Sequence, residues 1–229
     1  GRTKFEITKL NYIAGGGFVK WIADADLAKG GDHVNFSLSS LGEPIALYSR
    51  TKSLLDKRLI SKTIPGESEG RLPDGATRIT KFPSTPTPGK SNYLPVENVV
   101  INEVLTNSEF PAVDFIELHN PGIDPVEISG WWISDSTQNY QKFVIPPSTS
   151  IPGGGYRVFD EFDFNPGGGG GVNDFALSSA GDDVYIVEPS GGLPLRFVAS
   201  QSFGCAPTGE TLARHLNSIG DTHIVLMDA

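Results

Sequence analysis

The side chains able to do chemistry are clustered carboxylates, four histidines, one cysteine and three tryptophans. Asp160, Glu161 and Asp163 lie beside Asn165, and Asp24, Asp26 and Asp32 form a second acidic group. Loops rich in oxygen ligands hold Ca²⁺ in many proteins, which makes Asp160, Glu161 and Asp163 the candidate metal ligands. The glycine and the closing bidentate glutamate of an EF-hand loop are missing from the required positions, so solvated acidic loops without a cofactor are expected. The histidines, His33, His119, His215 and His223, have no His-x3-His spacing and no cysteine pair, so a zinc site is not expected. His119 stands between Glu117 and Asn120, an acid beside a possible base, but is expected to be an ordinary strand-end residue. Cys205 is the only cysteine, so no intrachain disulfide can form. No basic neighbour in sequence lowers its pKa, and a buried or incidental thiol is expected. Gly-x-Ser-x-Gly is absent. The run Gly167–Gly171 is followed by no Gly-Lys-Ser/Thr, so it is a loop and not a phosphate cradle. No catalytic residue is therefore assigned, and the chain is expected not to be an enzyme.

Tryptophan carries the remaining signal. In Val126-Glu127-Ile128-Ser129-Gly130-Trp131-Trp132-Ile133 the side chains alternate with period two on each side of Gly130. If Trp131 and Ile133 face a core, Trp132 faces the other way with Ser134. An exposed Trp on a sheet suits recognition of sugar, protein or a neighbouring domain. Trp132 is thus the candidate binding residue. The register is inferred, so the two tryptophans could exchange roles.

The elements that must position these residues are strands. The stretch Val99–Asp135 reads as three of them: one through Val99, Ile101 and Val104, one at Asp114–Leu118, and one around Gly130. Asn120-Pro121-Gly122 supplies a turn. Gly 27 and Pro 17 in 229 residues place much of the chain in turns. Only Ser53–Ile60 could wind into a helix, and it fits a strand nearly as well. The formal charge of -9 argues against binding a phosphate backbone. The bases Lys52, Lys57, Arg58, Lys62, Arg71, Arg78 and Lys81 do concentrate in one region, where a solvated face is expected. No apolar run reaches the ~20 residues that span a bilayer, and the first ten residues lack a signal-peptide core.

An internal repeat organises the whole. Lys4–Ile7 matches Lys142–Ile145, Ile13–Phe18 matches Ile151–Tyr156, Phe36–Glu43 matches Phe175–Asp182, and Gly70–Pro73 echoes Ala213–Leu216, at offsets that drift from 138 to 143 residues. The first copy, residues 1–82, lacks a counterpart of Val99–Asp135. Its strands are expected at Phe5–Ile7, Phe18–Ile22 and Ile45–Tyr48. A Pro/Ser-rich linker is expected over 83–97, and a complete second copy over 98–229 ending in the strand His223–Met227. The incomplete copy should leave sheet edges open, to be completed by upstream chain or by self-association.

The runs VVINEV at Val99, DFIELHNPG at Asp114, VEISGWWISD at Val126, KFVIPPSTSIPGGGYRV at Lys142 and FALSSAGDDVYIVEPSGG at Phe175 together resemble the lamin-tail domain family in its bacterial form. The resemblance implies an all-β, immunoglobulin-like β-sandwich, here in tandem with the first copy missing its N-terminal strands. It implies a non-catalytic interaction, adhesion or targeting module of a larger secreted or cell-surface protein. Its partners would be a protein or a surface polysaccharide. Two alternatives stand beside it: an accessory segment of a multidomain hydrolase or nuclease, and nucleic-acid binding by analogy with nuclear lamin tails.

Overall fold

The computed structural model describes residues 4–7 and 12–228, with the backbone alone for 198–200. It divides into two compact units, Gly1–Tyr93 and Leu94–Ala229.

The first unit contains β1 (Glu43–Tyr48), β2 (Leu54–Ile60), β3 (Ser68–Arg71) and β4 (Ile79–Phe82), with a 3-10 turn at Leu27–Lys29. β1 and β2 form one antiparallel ladder, β3 and β4 another. Ser53–Ile60 therefore resolves as a strand. Leu54, Leu59 and Ile60 pair across to Tyr48, Pro44 and Glu43, and Arg58 and Asp56 stand opposite Ile45 and Leu47, so the segment closes no helical turn. Strands expected at Phe5–Ile7 and Phe18–Ile22 do not form; Ile22 makes only an isolated bridge to His33. A strand needs a neighbour to take its backbone groups, and among these described residues Ile22 alone has one, donating to Asp32 O (2.7 Å) and accepting from Val34 N (2.9 Å). Only Val34, Leu72 and Phe82 are buried hydrophobics among its described residues. The Pro-rich segment after Phe82 is not a free tether. The Thr85 hydroxyl donates to Tyr93 O (2.8 Å), and Asn92 Nδ2 donates to Arg71 O (2.9 Å).

The second unit begins ahead of residue 98, with the two-residue strand β5 (Leu94–Pro95). It continues through β6 (Val100–Leu105), β7 (Phe115–His119), β8 (Val126–Glu127), β9 (Trp132–Ser134), β10 (Phe143–Val144), β11 (Ser150–Ile151) and β12 (Tyr156–Asp160). The one-turn helix α1 (Glu161–Phe164) follows, then β13 (Asp182–Ser190), β14 (Leu193–Phe203), β15 (Glu210–Leu216) and β16 (Thr222–Asp228). One sheet runs β10-β9-β13-β14-β5 and the other β12-β7-β6-β15-β16, with a small β11-β8 ladder beside them. Val104, Ile116 and Leu118 from one sheet meet Ile133, Val184 and Ile186 from the other in a single buried cluster, which is the β-sandwich core. Alternation in sequence is the main cause: Ile116 and Leu118 on β7 and Val184 and Ile186 on β13 fall two residues apart and point inward, while a bulge in β6 sets Ile101 and Val104 three apart.

The run around Gly130 is two strands, not one. Gly130 takes φ +75°, and the Trp131 amide closes a turn on Ile128 O (3.1 Å). The chain thereby passes from β8, paired with β11, to β9 in the large sheet. At the corner between β7 and β11, Asn120 is wholly buried. Its amide nitrogen lies 2.8 Å from Asp124 O and 3.1 Å from both Ile151 O and Pro152 O, while its amide oxygen accepts from Gly122 N at 2.9 Å. Asn120-Pro121-Gly122 is thus a turn pinned from inside the protein.

Candidate recognition cleft

The sequence places Trp132 on the outer side of its sheet, and that orientation holds: Trp131 and Ile133 belong to the core cluster and Trp132 does not. The expected exposure does not hold. Trp132 is only 6 % exposed, as buried as Trp131 at 7 %. The outer face of β9, β13 and β14 is itself apolar. Val187 stands opposite Trp132, Tyr185 opposite Ser134, and Tyr140 packs edge-on against Tyr185 (5.6 Å) and Phe197 (5.0 Å). Desolvation makes burial of these rings favourable, so a tryptophan on this face is a packing residue.

The acidic groups are drawn into local structure. The Asp160 carboxylate caps α1 by accepting from Phe162 N (2.9 Å), and Asp163 returns the contact by accepting from Asp160 N (3.2 Å), a capping box. Glu161 accepts from Asn165 Nδ2 at 2.9 Å. Asp24 accepts from Lys29 Nζ (2.9 Å) and from His33 Nδ1 (3.0 Å). The His33 hydrogen bond first, and Lys29 second, hold its carboxyl well below the usual carboxylate range. Among the described residues no three His, Cys, Asp or Glu converge as a metal site. His119 donates Nδ1–H to Gly155 O (3.0 Å) and stacks on Tyr156 at 4.4 Å, a strand-end role. Cys205 is exposed, not buried.

The feature that the sequence did not single out is a cleft of about 490 Å³ in the second unit, lined by Glu97, Asn98, Pro125, Val126, Glu127, Trp131, Glu188 and Arg196. It lies where the inward row Val184, Ile186, Glu188 of β13 passes from apolar to charged. Glu188 faces Arg196 across the β13–β14 ladder, and their charged groups meet at 3.3 Å. Glu127 is steadied by the amide of Ser129 at 3.1 Å. Glu97, from the segment joining β5 to β6, is exposed at the rim. Three carboxylates against one guanidinium leave the lining net negative, with the indole of Trp131 as its apolar wall. The residues come from three strands, β8, β13 and β14, and from the segments that join their neighbours, and their spacing in sequence gives no motif.

The family model described as Lamin Tail Domain matches residues 95–204. No curated protein and no solved structure matches the chain. The match covers every residue lining the cleft, so the stretch that builds it is similar to a lamin tail domain, and its two facing sheets form the β-sandwich consistent with that immunoglobulin-like family.

Proposed function

We propose that this chain is a non-catalytic recognition module of a larger secreted or cell-surface protein, and that the cleft of the second unit receives a basic side chain of a protein partner. The observation that supports this reading is the composition of the cleft: Glu97, Glu127 and Glu188 around the Trp131 indole, with Arg196 offsetting one of the three charges. A lysine or arginine placed there pairs with carboxylates and lies against an aromatic face, both favourable for a cation. The same charges repel a phosphate backbone, which sets nucleic acid aside. A polysaccharide would use the indole and the Asn98 amide without needing the carboxylates. The secreted setting rests on the family resemblance alone.

The test uses the whole chain and a tetralysine peptide, with tetraglutamate as the control, followed by calorimetry. Replacing Glu97 and Glu127 together by Gln should weaken tetralysine binding roughly twofold to thirtyfold, about 0.4–2 kcal/mol for two exposed attractions. Binding should also fall as salt rises. Equal affinity for both peptides, or no change in the double variant, would refute the cleft as a cation site.

A further inference from the structure

The hairpins β1–β2 and β13–β14 are built alike to the level of single hydrogen bonds. Ahead of β1, Gly42 N donates to Ser39 O (3.1 Å), Leu41 N to Ser39 Oγ (3.2 Å), and Ser39 N to the Glu43 carboxylate (2.5 Å). Ahead of β13, Gly181 N donates to Ser178 O (3.0 Å), Ala180 N to Ser178 Oγ (3.3 Å), and Ser178 N to the Asp182 carboxylate (3.1 Å). Gly42 and Gly181 take φ +95° and +114°, and a Cβ on either would meet the carbonyl oxygen of the closing strand, Ile60 O at 2.7 Å or Phe203 O at 2.8 Å. Glu43 pairs with Ile60 as Asp182 pairs with Phe203. On this register Ile45 corresponds to Val184, Leu47 to Ile186 and Tyr48 to Val187.

What covers the two hairpins differs. Val184 and Ile186 are fully buried, and β9 pairs with β13 through Ser134, Ile133 and Trp132. Ile45 and Leu47 are 39 % and 46 % exposed, and among the described residues β1 pairs with β2 alone. Leu38 is exposed where its counterpart Leu177 is buried. On the same face, opposite Ile45, Arg58 has its Nε buried with no hydrogen-bond partner among the described residues. A third difference concerns arginine. Arg214 on β15 donates Nε–H to Ile101 O of β6 at 3.1 Å. Its counterpart Arg71 on β3 turns instead to the Asp56 carboxylate (2.8 and 2.9 Å).

We propose that the free edge of β1 at Ala46–Tyr48, with the face bearing Ile45 and Leu47, is a docking surface for one extended segment that pairs antiparallel to β1 as β9 pairs to β13. The occupant is a strand of the pattern seen in Gly130–Asp135: a β-branched residue inward beside Leu47, large apolar residues outward, and an acceptor that satisfies Arg58. The chain's own Gly130–Asp135 is already paired inside the second unit, so the occupant is a separate strand of that type. Unpaired edge groups and exposed leucines make such a surface the natural template for strand addition. This proposal is independent of the cleft and of its ligand.

The test is hydrogen exchange on the whole chain, with a synthetic peptide of the sequence 126–139 as the probe and its scrambled form as the control. Excess probe should slow exchange over Glu43–Tyr48 at least about tenfold, with the scrambled peptide leaving it unchanged. In Leu47→Lys, a change at an exposed position that the fold tolerates, the protection should vanish while the exchange of β3 and β4 stays as in the parent. No protection at saturating probe, equal protection by the scrambled peptide, or retention of protection in Leu47→Lys would each overturn the proposal. Protection of β1 without probe that rises with protein concentration, together with a dimer by light scattering, would overturn it in favour of a second copy as the occupant.

Discussion

Replacing Asn120 by Ala tests whether the corner between β7 and β11 is held from within. The side chain is wholly buried and makes contacts with Asp124 O, Ile151 O, Pro152 O and Gly122 N. The amide has two hydrogens for three carbonyls, so these contacts count as about three full hydrogen bonds, each worth roughly 1 kcal/mol net. Residues 121–125 are exposed, so water can reach the outer groups and soften the loss, whereas Ile151 is fully buried. A destabilisation of about 3 kcal/mol follows, or roughly 10 °C in the midpoint of a unit of this size. Urea unfolding followed by the fluorescence of Trp131 and Trp132, in a Trp21→Phe background, reads the second unit alone. Asn120→Asp should be worse than Ala, because a carboxylate would face three carbonyl oxygens. A loss below about 1 kcal/mol in the Ala variant, or an Asp variant milder than Ala, would refute the reasoning.

Two further outcomes are expected. Burial, aided by the hydrogen bond to Asp183 (3.1 Å), pushes the Tyr185 hydroxyl from 10.0 up to about 12. Its folded pKa lies above the unfolded one, so the contribution is complete below pH 10 and lost as pH rises through 12, on the order of 2 kcal/mol. Phenolate absorbance and urea midpoints measured across that range check it, and a Tyr185 that titrates at 10 contradicts it. Trp132→Ala should cost about 3–5 kcal/mol of stability, as a large-to-small change in a packed layer does. The unfolding midpoint measures this, and a near-neutral variant would return Trp132 to the surface.

Much of the second unit was legible because its strands alternate cleanly: Ile116, Leu118, Ile133, Val184 and Ile186 all point where period two sends them. The same rule gave the orientation of Trp132 but not its burial. Alternation assigns a side chain to a face and says nothing of what lies on that face, and Tyr140, Tyr185 and Phe197 are spread over 58 residues. The first unit was read less well for a related reason. Phe18–Ile22 has the composition of a strand, yet pairing is a property of two segments, and only one is present among the described residues. The acidic triads illustrate another limit. Asp160 and Asp163 at a spacing of three signal a helix start as readily as a metal loop, and here they form the capping box of a short helix. The cleft had no local signature at all, since Glu97, Glu127 and Glu188 meet only through the sandwich.

The strand β5 has a mechanical consequence. It is two residues long, runs parallel to β14 against Arg196 and Phe197, and is followed by one more backbone bond, from Val96 N to Phe197 O at 3.0 Å. Pro95 has no N–H to give, so this attachment is weak by construction. Tension drawn along the chain from the N-terminal side would peel Leu94–Val96 first and stop at β6, which is anchored between β7 and β15. Each such event pays out roughly 10 Å of slack, at about 3.5 Å per residue, while the sandwich core stays closed. The second unit thus carries a short extensible joint at its threshold, which can absorb a pull before the core is loaded.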